Sequence, residues 1–219
     1  MVQPSIAPRV SSVLEWPTIM TELLGKLFGS IERVKIMRLF LMNPTVAFTK
    51  AAIARRSKVS GTTLSRELRM LFETRLIKSR LSVTAEEGGT RAKGWQLDLG
   101  FPLLAPLKSL LFPTEPFTHE EIVRKFKNGG RIKLIIAAGI FIQDENSRAD
   151  LLIVGDNLKK RVLDHALKSM EAEIGRELVY GIFETEDFKY RLGVYDKFIR
   201  DLLDYPHEVM LDKIGATQA

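Results

Sequence analysis

Apolar residues recur at helical spacing early in the chain. Val34, Met37 and Leu41 form one stripe, and Ile36 with Phe40 forms a second. A helix apolar on two sides belongs at the centre of its domain. Ser30 stands where a cap is needed, because a serine hydroxyl can take a free N–H of the first turn. Asn43-Pro44 stops this helix near Met42. Thr49 is placed to cap a short second helix, Lys50 to about Arg56. Ser57-Lys58-Val59 makes a tight connection, and Ser60 is placed to cap a third helix from about Gly61 to Thr74. The period then changes. Leu76 to Val83 is rich in strand formers, Ala85-Glu86-Glu87-Gly88-Gly89 reads as a turn, and Gly94 to Leu99 alternates as a returning strand. A fourth helix is expected from about Leu103 to Phe112.

Residues 1–20 carry Pro4, Pro8 and Pro17 with little periodicity and read as a loose arm. Pro113-Thr114-Glu115-Pro116 reads as a linker, because prolines disfavour helix and interrupt pairing. Beyond it, helix and strand alternate. The expectation is a helix over about His119–Lys127, strands over Arg131–Gly139, Ala149–Val154 and Leu178–Phe183, and a helix over about Leu158–Ile174. Tyr195, Phe198, Ile199 and Leu202 mark a last amphipathic helix. The aromatic residues Phe188, Tyr190, Tyr195 and Phe198 read as core. The fold class is therefore α+β: an arm (1–20), a helical domain with a hairpin (21–112), a linker (113–118) and a small α/β domain (119–219).

Charge sharpens this division. The net charge is +6, but residues 1–112 hold 17 Lys and Arg against 8 Asp and Glu, whereas residues 113–219 hold 16 against 19. A basic first half suggests a polyanionic partner. The chain has no cysteine, which excludes disulfides, thiolate metal sites and thiol nucleophiles. No apolar run approaches the roughly 20 residues that cross a bilayer, and no secretion signal is evident. No membrane partner is expected, and the cytoplasm is the expected compartment.

The third helix carries the sharpest chemistry. With about 100° per residue, Leu64, Leu68, Leu71 and Phe72 gather on one side, and Thr62, Arg66, Arg69 and Glu73 on the other. The major groove of B-DNA admits an α-helix, and an arginine there can bond both acceptors of guanine. Ser60, Thr62 and Thr63 lie where free backbone N–H groups suit phosphate. Lys78 and Arg80 on one strand, with Arg91 and Lys93 near the tip, make the hairpin basic. Lys50 and Ser65 complete the candidate DNA-contact set.

This segment resembles the winged helix-turn-helix regulators of the arsenical-repressor and multiple-antibiotic-resistance type over about residues 25–112. The carriers are Ile36-Met37-Arg38-Leu39-Phe40, Thr49-Lys50-Ala51-Ala52-Ile53-Ala54, Ser60 to Phe72, and Gly94-Trp95-Gln96-Leu97. The resemblance implies a helix in the major groove of double-stranded DNA and a homodimer reading two half-sites. Metal-sensing members use cysteine clusters, which this chain lacks.

Residues about 131–214 resemble a minimal nucleotidyltransferase domain of the polymerase-beta type. Members carry Gly-Ser after a first strand, Asp-x-Asp opening a second, and an acid on a third; the acids hold magnesium against nucleotide phosphates. Ser147-Arg148-Ala149-Asp150-Leu151-Leu152-Ile153-Val154 carries the likeness. The chain departs from it elsewhere. Ile140 follows Gly139, Arg148 stands in place of the first aspartate, and Leu178 to Ile182 has no interior acid, with Glu177 only at its edge. One carboxylate beside a cation does not hold two divalent ions. The three histidines have no ligand spacing. The expectation is a DNA-binding regulator with neither metal nor cofactor, rather than an enzyme, whose second domain is a degraded nucleotidyltransferase. Gly139, Arg148 and Asp150 would line a residual pocket for a nucleotide or protein partner. The alternative is an active or antitoxin-type nucleotidyltransferase that uses the winged helix for targeting. A purely protein-binding winged helix is disfavoured by the basic excess.

Overall fold

The computed structural model describes residues 16–83, 91–112, 116–144 and 146–216. It is a mixed α/β fold with two separate sheets. The first half runs α1 (Trp16–Phe28), α2 (Ile31–Met42), β1 (Phe48–Thr49), α3 (Lys50–Ser57), α4 (Gly61–Glu73), β2 (Ile77–Val83), β3 (Arg91–Leu97) and α5 (Leu104–Leu111). The turn expected at 85–89 and residues 113–115 of the expected linker lie outside the described residues.

α2 is the centre of this half, as its double stripe requires. Val34, Ile36, Met37, Leu39, Phe40 and Leu41 are all buried in one cluster with Leu64, Leu68 and Leu71 of α4 and with Ile77 and Leu97 of the hairpin. Ser30 accepts from the Arg33 N–H at 3.1 Å, and Thr49 accepts from the Ala52 N–H at 3.2 Å, so both expected caps form. Ser60 does not cap: it has the extended backbone of an N-cap but no side-chain bond into the helix. β3 is the middle strand, pairing antiparallel with β1 and β2.

Two expectations are corrected here. Residues 16–20, expected in the arm, are helical: α1 starts at Trp16, and Pro17 lies in its first turn, where a missing N–H costs nothing; residues 1–15 lie outside the described residues. Phe72 is 48% exposed, although the wheel sets it with the buried leucines. It stands at the edge of that arc, one residue before the helix ends at Glu73.

The second half runs α6 (His119–Phe126), β4 (Arg131–Ala137), a single 3-10 turn (Gly139–Phe141), β5 (Leu151–Asp156), α7 (Lys160–Ile174), β6 (Tyr180–Glu184), α8 (Thr185–Gly193), α9 (Lys197–Leu203) and β7 (Glu208–Asp212). Its sheet has the order β6-β5-β4-β7. β4 is antiparallel to both β5 and β7, and β5 is parallel to β6, with α7 as the crossover. Ile135, Leu151 and Ile153 face α6 and α7, while Leu134, Ile136, Leu152 and Val154 face α8 and α9. Burial on both faces explains why these strands read as unbroken apolar runs.

α8 and β7 have no counterpart in the expected elements. In α8 only Phe188 is a fully buried apolar residue, so no stripe appears, and β7 is a half-exposed edge strand. Tyr190 and Tyr195 are 70% and 75% exposed, not core, and Tyr195 adopts a left-handed backbone (φ 58°) ahead of α9.

The halves meet where the C-terminus of α7 docks on α2. Arg38 donates to the Glu173 carbonyl at 3.1 Å, and Asn43 Nδ2 donates to the Gly175 carbonyl at 2.8 Å. The last carbonyls of a helix have no partner within it and carry partial negative charge, so a cation and an amide there satisfy both needs. Arg38 also donates to the Leu111 carbonyl at 3.0 Å, and burial holds its guanidinium below its usual range. Arg56 reaches Glu177 at 2.7 Å.

Gly175 permits this approach. Its φ is +92°, and a Cβ built there would stand 2.5 Å from the Arg38 carbonyl carbon. Gly175→Ala is expected to lose about 1–2 kcal/mol from the left-handed backbone alone, and to push α7 off α2. Chemical denaturation with a tryptophan or circular-dichroism readout checks it; wild-type stability would mean the contact is dispensable.

Candidate functional site

The exposed side of α4 is set by what the helix buries. Leu64, Leu68 and Leu71 go into the core, so Thr62, Arg66, Arg69 and Glu73 are left exposed on the opposite side. Ser60 and Gly61 are exposed at its start, and Thr63 and Ser65 are half-buried. The Ser60 carbonyl accepts from the Leu64 N–H, so the helix begins with its first N–H groups outside the helical ladder. Lys50, at the start of α3, donates to Ser65 Oγ at 2.7 Å, which ties the first turn of α4 to α3.

Glu67 is the residue that sequence reasoning missed. It is fully buried within an otherwise apolar arc. A buried carboxylate needs charged partners, and Glu67 has two. Arg33 of α2 lies at 2.7 Å and Arg66 at 3.2 Å. One carboxylate thus fastens α4 to α2 and also holds the Arg66 guanidinium through Nε and Nη2, while 70% of that side chain stays exposed. On the wheel Glu67 falls between the polar arc and Leu71, and that position was the available signal. Pre-setting an arginine by a buried partner reduces the entropy lost when it binds.

The hairpin is less uniform than expected. Cross-strand register pairs Lys78 with Gln96 and Arg80 with Gly94, whereas Lys93 pairs with Leu81 and Arg91 with Val83. Side chains alternate along a strand, so Lys78 and Arg80 lie on one face and Lys93 on the other. Lys78 is also bound to Asp98 at 3.0 Å. That bond, with a further one from the Gly100 N–H, holds the Asp98 carboxyl below the usual range. Arg80 and Lys93 are exposed, and the Arg91 side chain lies outside the described residues. The four basic residues therefore do not form one surface.

In the second half, Asp150 is not placed as a metal ligand. It is 2% exposed, and its oxygens take three donors. Oδ1 accepts from the Ile140 N–H at 3.0 Å and from Arg176 Nη2; Oδ2 accepts from the Val179 N–H at 2.9 Å. Gly139 (φ +54°) is required by the same acid, because a Cβ would collide with Asp150 Oδ1. Arg148 turns away to Asp201 at 3.2 Å, and Glu177 is held by Arg56. Arg148 and Asp150 do share a cleft of about 420 Å³ with Arg56, Arg176 and Glu177, but Gly139 does not line it. The pocket of Gly139, Arg148 and Asp150 is corrected accordingly.

A magnesium pair does not fit these residues: the acid is consumed by internal donors and two arginines stand beside it. Among the described residues no group of three or more His, Asp or Glu is placed to hold a metal ion. A scan of protein-family models matched none, and searches of curated proteins and of solved structures returned no match. Among the described residues no helix is long and apolar enough to cross a membrane. What the arrangement offers chemically is recognition: an exposed helix face with two arginines and a hydroxyl, held on a buried leucine face, with exposed cations on the hairpin that follows.

Proposed function

We propose that the chain is a sequence-specific regulator of transcription that binds double-stranded DNA through a winged helix-turn-helix in its first half. The observation that carries the reading is the exposed arc of α4, Thr62, Arg66 and Arg69, opposite the buried Leu64, Leu68 and Leu71. An α-helix fits the major groove, and arginine reads guanine there with two parallel bonds. The order α2, α3, α4 and then an antiparallel hairpin supports the winged-helix reading. The first N–H groups of α4 would anchor a phosphate. The proposal includes a homodimer on two half-sites, for which Leu23 and Leu27 of α1 and Leu110 of α5 supply exposed apolar surface. The second half is then a nucleotidyltransferase-like domain without its catalytic acids, and its role is binding rather than transfer.

The hairpin makes a quantitative contribution to this reading. Each cation that neutralises a phosphate adds about 0.9 to the slope of log affinity against log salt. Because Arg80 and Lys93 lie on opposite faces of the hairpin, one of them meets the backbone, and Arg80→Ala with Lys93→Ala should lower the magnitude of that slope by about 1 and weaken specific and non-specific binding alike. Lys78→Ala should leave it nearly unchanged, because Lys78 is already paired with Asp98. Fluorescence anisotropy with a labelled duplex from the region upstream of the protein's own gene, read over a range of salt, tests both. A double-variant slope equal to wild type would remove the hairpin from the DNA backbone, and no saturable binding to that duplex would remove the whole reading.

A further inference from the structure

A second, larger cleft lies between the two halves, away from the exposed face of α4. Its volume is about 670 Å³, within the range of small-molecule sites. Ile31 and Met42 of α2, Phe112, Phe117, Ile140 and Ile174 give it apolar walls. α2, α5, α6 and α7 all contribute to it, so an occupant would touch both halves.

Five cations, Lys35, Arg38, Lys108, Lys125 and Arg176, line it against four acids, Glu22, Glu121, Asp144 and Glu173, a small positive excess. The acids in the wall are mostly committed. Glu173 accepts from Lys125 at 3.0 Å and from Ser169 at 3.3 Å, and Glu121 closes the capping box of α6 with the Thr118 N–H at 3.0 Å. Asp144 accepts from the Asn146 N–H at 2.9 Å, which leaves Glu22, exposed, on α1. The cations are not all committed. Lys35 and Lys108 form no hydrogen bond or ion pair among the described residues. Arg38 is 93% buried, being 7% exposed. Its Nε and Nη1 go to Leu111, Glu173 and Thr21, and its Nη2 has no partner among the described residues and is not sealed inside the protein. A guanidinium desolvated on every other side binds an anion at its open edge more strongly than a solvated one would.

We infer that this cleft is a binding site for a small organic anion with an apolar body, its acid group on Arg38 Nη2 and Lys35 and Lys108 adding positive potential. The apolar walls take the body, and the unpaired donors select an anion over a neutral analogue of the same shape. The inference does not depend on the DNA reading, and neither test bears on the other.

Calorimetric titration of the full chain with 2-naphthoate, with decanoate and with the neutral 2-naphthalenemethanol tests it. The expected result is saturable binding of at least one carboxylate, one molecule per chain, with 2-naphthalenemethanol weaker than 2-naphthoate by about tenfold or more. Lys35→Glu with Lys108→Glu should weaken the carboxylate by about tenfold or more through the reversed potential, with an unchanged thermal midpoint. Lys160→Glu with Lys197→Glu, the same charge change on exposed positions outside the cleft, should leave binding as it is. Saturable binding of neither carboxylate, equal binding of the neutral alcohol, or indifference to the Lys35 and Lys108 reversals would each overturn the inference.

Discussion

Asp150→Ala is expected to destabilise the second half by about 3–5 kcal/mol, the range found when one partner of a buried ion pair is removed. The carboxylate closes a knot of three segments. It accepts from the Ile140 N–H after β4, from the Val179 N–H before β6, and from Arg176 at the end of α7. Deleting it strands two backbone donors and a guanidinium whose Nε is already buried without a partner. Gly139 gives the same message from the other side, since it has room only for the acid and not for a Cβ of its own. Asp150→Asn should also be costly, because its amide keeps one acceptor oxygen for three donors. Urea denaturation of the two variants checks this. A catalytic acid held in place by its surroundings would be replaceable at little cost to stability, so wild-type midpoints for both variants would contradict the structural role.

The sequence was informative where one interaction dominates over several turns. α2 and α4 follow directly from their leucine, isoleucine and phenylalanine spacing, and the caps at Ser30 and Thr49 from a hydroxyl ahead of an apolar period. β4 and β5 were legible as apolar runs because helices cover both faces. Pairing across distance was not legible. Nothing in the local sequence tells that Lys78 is bound to Asp98 or that the basic hairpin residues divide between two faces, because register is set by the partner strand. Glu177 reads locally as a stray acid at a strand edge, but it is the partner of Arg56 in the other half. Arg38 reads as a polar interruption in a helix, yet it is the buried cation on which the end of α7 rests. α8 stayed hidden because Phe188 is its one fully buried apolar side chain, and Tyr190 and Tyr195 misled because aromatic residues near a helix end look like core when the local fold is unknown.

The largest effect on binding is expected at the exposed face of α4. Arg66 and Arg69 stand on the solvent side of the helix, and Arg66 is already oriented by the buried Glu67. Neither fills the core, but Arg66 is one of the two charged partners of the buried Glu67, so removing both should lower the thermal midpoint only modestly while Arg33 keeps the carboxylate paired. If each makes a bidentate base contact, each is worth about 1–3 kcal/mol of specific binding, which places the double variant roughly two to four orders of magnitude weaker on its own site. Non-specific binding should fall much less, because it depends on phosphate contacts that the first turn of α4 and the hairpin retain. The decisive measurement is a gel-shift titration of Arg66→Ala with Arg69→Ala on the upstream duplex, beside a scrambled duplex and a thermal melt. The account predicts lost discrimination between the two duplexes in a protein that still melts in one cooperative transition, at most slightly below wild type. Unchanged affinity and discrimination in the folded double variant would contradict the assignment of α4 as the element that reads DNA.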